Sequence, residues 1–95
     1  MNRQEATSIV EERLGPFRKR SYAELQRMVD GRTVEAGEAA GPSGTKYQIE
    51  IQAFWDDKPG ANIRVRSCID NGGWRAFFPL TRDFIMTPTG SFIGE

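Results

Sequence analysis

Ile63-Arg64-Val65-Arg66-Ser67-Cys68-Ile69-Asp70-Asn71-Gly72-Gly73-Trp74-Arg75-Ala76-Phe77-Phe78-Pro79-Leu80 holds two runs of alternating apolar residues separated by Asn71-Gly72. Asn and Gly tolerate the positive φ angles of a two-residue type I′ turn, so the stretch reads as a β-hairpin. That turn pairs Ile69 with Trp74, Ser67 with Ala76, Val65 with Phe78 and Ile63 with Leu80. The apolar residues of both strands then share one face, as a half-buried sheet requires.

Working backwards, Tyr47, Ile49, Ile51, Ala53 and Trp55 alternate with Lys46, Gln48, Glu50, Gln52 and Phe54, which predicts a long strand. A five-residue loop, Asp56 to Gly60, pairs Ala53 with Ile63, Ile51 with Val65, Ile49 with Ser67 and Tyr47 with Ile69. Val34 and Ala36 mark a short strand after Gly31, and the small residues from Gly37 to Gly44 predict a mobile loop. Upstream, Ala6, Ile9, Val10 and Leu14 form a helical stripe that Asn2 and Glu5 can cap and that Gly15-Pro16 should end. A second helix starts at the capping box Ser21-Tyr22-Ala23-Glu24 and runs to about Gly31, while Phe17 is the apolar anchor of a basic linker. Downstream, Phe84, Ile85, Met86, Phe92 and Ile93 flank a turn at Thr87-Pro88-Thr89-Gly90, so the tail should dock on the domain. The expected fold is α+β: two N-terminal helices packed on a four-stranded antiparallel meander, with a C-terminal hairpin or strap.

Composition limits the function. A chain of 95 residues with 38% hydrophobic content makes one domain, spanning 1–95. Thirteen basic and thirteen acidic residues cancel, so no global field attracts nucleic acid or an acidic membrane. The absence of an apolar leader near Met1 or a long apolar run predicts a cytoplasmic chain without a membrane span. No histidine is present, which removes the usual general base of cysteine and serine hydrolases. The single Cys68 cannot form an internal disulfide or supply a zinc site, and the expectation is no metal and no cofactor.

The segment Ile69 to Thr81, followed by Asp83-Phe84-Ile85 and Gly90-Ser91-Phe92-Ile93-Gly94-Glu95, resembles a family of small bacterial α+β domains of unknown function. The likeness covers the C-terminal two-thirds, including the Tyr47–Asp57 strand and turn. It implies a compact bacterial module and no particular activity.

Four candidate sites compete with plain structural readings. Asp56-Asp57 could share acid–base work, with Asp70 as a further carboxylate, but Asp-Asp-Lys-Pro-Gly is also what a solvated turn needs. Cys68 could be activated by Arg75 across the hairpin, or be a small hydrophobe. Arg18, Lys19 and Arg20 form a basic cluster suited to phosphates, although Glu11, Glu12 and Glu24 are interspersed around it. Finally, the outward sheet face should carry Arg64, Arg66, Arg75 and Phe77, with Arg66 between Glu50 and Phe77. This last site leads to the expectation of a non-enzymatic protein-interaction or regulatory domain, monomeric or homodimeric, with an unidentified protein partner. Nucleic-acid binding through Arg18, Lys19 and Arg20 is the alternative, and a small carboxylate-dependent enzyme the third reading.

Overall fold

A computed structural model of the chain describes residues 2–72 and 80–94. Two helices, α1 (Arg3–Arg18) and α2 (Tyr22–Gly31), precede β1 (Val34–Ala40), β2 (Lys46–Trp55), β3 (Ile63–Asp70), β4 (Leu80–Met86) and β5 (Phe92–Ile93). The strands form one antiparallel sheet in the order β1-β2-β3-β4-β5. The fold is therefore α+β, with the helices on one face of an up-and-down meander.

Both helix starts form as their sequences require. The Asn2 side chain accepts the Glu5 N–H at 3.0 Å, and Ser21 and Glu24 close a reciprocal capping box. The end of α1 differs from expectation, because the helix continues through Gly15 and Pro16 to Arg18. Ala6, Val10, Leu14 and Phe17 lie on one stripe and all are buried. Extending the helix by one turn seats Phe17 in the core, a burial of the order of 2–3 kcal/mol. Proline in the last turn forfeits one backbone bond, and the end tightens through Lys19 N–H to Pro16 C=O and Arg20 N–H to Phe17 C=O, each 3.2 Å. The second helix closes on Arg32, which adopts the left-handed conformation at φ 50°.

Two pairings correct the expected registers. Ile63 lies opposite Trp55, Val65 opposite Ala53, Ser67 opposite Ile51 and Ile69 opposite Ile49. This is a shift of the expected β2–β3 pairing that preserves every facing. The loop is longer than Asp56 to Gly60 because Asn62 C=O accepts the Asp56 N–H at 3.0 Å, and Ala61 C=O accepts the Tyr22 hydroxyl at 2.6 Å. The Tyr22 bond ties Ala61 to α2 instead of to the ladder.

The β3–β4 pairing moves further. Ile69 faces Leu80, Val65 faces Phe84 and Ile63 faces Met86. The fourth strand is thus the segment expected to be a strap, and Leu80 pairs with Ile69 and not with Ile63. The expected partners Trp74, Ala76 and Phe78 lie outside the described residues. The stretch from Gly37 is also corrected: Gly37 to Ala40 continue β1 in unbroken register with β2, leaving only the short connection after Ala40 as loop.

Helix residues Ala6, Val10, Leu14, Phe17, Leu25 and Met28 seal the core against Tyr47, Ile49, Ile51, Ile63, Val65, Ile69, Leu80, Phe84 and Met86. Ser67 is 0% exposed in this layer. No helix among the described residues is long and apolar enough to cross a membrane.

Candidate functional site

Because side chains alternate along a strand, the residues between the core positions form the second face of the sheet, on which no described helix packs. One row across this face is Phe54, Arg64, Ile85 and Ile93; the next is Val34, Gln52, Arg66 and Asp83. A third row carries Ala36, Glu50, Cys68 and Thr81.

Arg64 and Arg66, two of the three predicted arginines, are on this face, but with different partners. Arg64 donates from Nε to Asp56 Oδ1 and from Nη1 to Asp83 Oδ2, both at 2.8 Å. The Asp56 bond, then the Asp83 bond, holds the guanidinium still more firmly protonated against the opposing effect of burial. Arg66 stands 3.9 Å from Asp83 and stacks over the Phe54 ring at 5.0 Å. The expected contact of Arg66 with Glu50 is displaced, since Glu50 faces Cys68. Across β4, Arg66 faces Asp83. Arg75 and Phe77, the other two residues expected here, lie outside the described residues.

Most of the remaining candidates make local contacts. Asp56 is tied to Arg64, and Asp70 accepts the Gly72 N–H at 2.8 Å, a local turn bond. Asp57 is exposed in the β2–β3 loop. Cys68 is half-buried, and burial pushes its thiol above the ordinary range, outweighing the opposite influence of Arg66. That is the reverse of an activated thiolate. Arg18 pairs with Glu11 at 3.7 Å and lies 4.9 Å over Phe84. Arg20 caps the Phe17 ring at 4.3 Å, meets Glu35 at 3.4 Å and touches Met28 Sδ. Lys19 is the C-cap of α1. Two of the three basic residues proposed for phosphate contact are therefore drawn onto the protein itself.

Three groups escaped the sequence reading. Asp83, Ile85 and Ile93 join the open face only because β4 and β5 are strands, which the tail's alternation from Leu80 to Met86 could have suggested. Arg13 reaches from α1 to donate to the Glu38 C=O at 3.1 Å, and no local pattern announces so distant a contact. Glu5 gathers the Ser43 N–H at 3.1 Å, the Ser43 hydroxyl at 2.7 Å and the Tyr47 hydroxyl at 3.1 Å. These bonds, the Ser43 hydroxyl foremost, hold its carboxyl below the usual range. A Cβ at Gly41 would overlap this carboxylate, so glycine is what lets the loop close on Glu5. The cluster latches the β1–β2 connection to the start of α1.

Among the described residues no group of three His, Cys, Asp or Glu side chains is placed to hold a metal ion. Comparison with known proteins finds no matching family model, no matching curated protein and no matching solved structure.

Proposed function

We propose that this chain is a non-enzymatic protein-interaction or regulatory domain that engages a protein partner through the open face of its sheet, around Arg64 and Arg66. The supporting observation is the row Phe54, Arg64, Ile85 and Ile93, which places apolar side chains on either side of an arginine held by two aspartates. Ile93 is 45% exposed at the end of that row. Partner-binding surfaces favour this combination of arginine, aromatic and apolar contact over a field of unmatched charge. Arg75 and Phe77, expected as further members of this surface, lie outside the described residues. The likeness to small bacterial domains of unknown function, in a cytoplasmic setting, is part of this reading.

The test is capture from native-host lysate with a tagged full-length chain, treated with nuclease, against a Phe54→Ala, Ile93→Glu variant whose circular dichroism matches the parent. A stoichiometric protein retained after nuclease and lost with the variant supports the reading. Equal retention by both chains, or recovery that vanishes with nuclease, overturns it.

A further inference from the structure

The two borders of the sheet are unequal. β5 is two residues long, whereas β1 offers seven, exposed along their length except at Ala39. Native edges usually discourage pairing with a bulge, a proline or a lysine. β1 has none of these, its charges being Glu35 on the helix side and Glu38 on the open side: its register with β2 is unbroken from Val34 to Ala40, and Ala36, Gly37, Ala39 and Ala40 present almost no side-chain bulk.

The backbone directions follow from two bonds. Gly41 N–H donates to Thr45 C=O at 3.1 Å, so Gly41 and, by alternation, Ala39, Gly37 and Glu35 turn their backbone groups towards β2. Val34, Ala36, Glu38 and Ala40 turn theirs outward, and the Glu38 C=O is the one that receives Arg13 at 3.1 Å. Apart from the Glu38 C=O, these outward groups form a ladder open to a partner strand.

We propose that β1 is a homodimer edge, at which two copies of this chain pair antiparallel about Gly37 and merge their sheets. Only this symmetric register overlaps the strand along its whole length. It sets Ala36 beside the partner's Glu38, Val34 beside the partner's Ala40 and Glu35 beside the partner's Ala39. No like charges stand opposite each other, as they would if the pairing centred on Glu38. Gly37 meets the partner's Gly37 as the close, non-hydrogen-bonded pair, where a missing side chain is an advantage.

Charge selects a second copy over an arbitrary strand. The Arg13 guanidinium hangs 3.8 Å from where a Cβ on Gly37 would sit, on the helix side of the sheet. In the dimer the partner's Glu35 arrives on that same side, beside Ala39, the next residue after Gly37 on this face. Arg13 then exchanges the Glu38 carbonyl, which the ladder needs, for a carboxylate. Glu35 already meets Arg20 of its own copy at 3.4 Å, so the two arginines bracket it. By the two-fold symmetry the pair of Arg13 with the partner's Glu35 occurs twice in the interface. The dimer edge uses the backbone of β1 and not Phe54, Arg64, Ile85 or Ile93, so either proposal can fail alone.

The experiment is sedimentation equilibrium of the full chain from roughly micromolar to millimolar concentration, with an isotope-filtered NOE measurement on mixed labelled and unlabelled protein. Expected are a monomer–dimer equilibrium and a contact between the Gly37 α-protons of the two copies. Arg13→Glu and Glu35→Arg should each weaken the dimer by about tenfold, and the double reversal should recover most of the loss. Ala36→Pro, which removes an outward N–H and spares the β1–β2 ladder, should abolish it. A monomer throughout the range overturns the proposal, as does a dimer that lacks the Gly37 contact or ignores both charge reversals. The NOE on the parent chain decides the matter even if a variant fails to fold.

Discussion

The two faces of the sheet are made from the same strands and even the same dipeptides, yet they are held in different ways. On β3, Ile63 is 0% exposed against the helices, while Arg64, its neighbour, sits in a ladder of paired charges on the open side. The helix side gains stability by removing apolar area from water, a collective effect without direction. The open side has matched its own charges, Arg64 with Asp56 and Asp83, Arg66 with Asp83 and Phe54. Around Arg64 and Arg66 little unmatched charge is left among the described residues, so association there must rest on contact with Phe54, Ile85 and Ile93 more than on attraction from a distance.

Substitutions at adjacent positions put this contrast to the test. Ile63→Ala should cost about 3 kcal/mol in urea unfolding, the transfer loss plus a cavity in a sealed layer. Arg64→Ala, one residue away, should cost only about 1 kcal/mol, because its ion pairs are partly solvated. A result with the two reversed would mean that the open face is the main source of stability. For the latch beneath the helices, acid should act through Glu5. Its folded carboxyl titrates lower than the unfolded one, so its contribution is fully present above the ordinary carboxylate value and is lost as pH falls from there through the lower folded value. The parent melting temperature should therefore fall more on acidification than that of Glu5→Gln, and parallel curves would remove Glu5 from the account. At Cys68, alkylation near about pH 8 should be slow in the folded chain and accelerate on unfolding, since burial disfavours its thiolate. The smallest effect is expected of Arg66→Ala, within about 0.5 kcal/mol of the parent.

The contrast between faces was legible in the sequence, whereas the pairing of the strands was not. Tyr47, Ile49, Ile51, Ile63, Val65 and Ile69 were assigned to the correct side by alternation alone. A period of two is blind to even shifts, however, and both corrected registers differ from expectation by even steps. From Trp74 to Met86 the alternation continues almost without a break, so the sequence offers several equivalent partners for β3. Pro79 was the available warning, because a residue without an N–H is a poor member of a central strand. The β2–β3 loop depends on Tyr22 reaching Ala61 from another element, and Phe17 overrides the Gly15-Pro16 stop from within the core. Neither is a local property. At the candidate site, Arg64 and Arg66 could be placed by parity, but their true partners Asp56, Asp83 and Phe54 depend on register.

The plain order of the meander has a kinetic consequence. Every strand pairs with the one next to it in the chain, so the sheet can grow by successive short loop closures without any crossover. The exception is α1, which begins at Arg3 yet packs chiefly on β3 and β4. Its docking needs the far end of the sheet to exist first. During synthesis this helix emerges before the strands it packs on and can be buried only once β4 has followed, leaving the stripe of Ala6, Val10, Leu14 and Phe17 exposed to water, and to chaperones, until then.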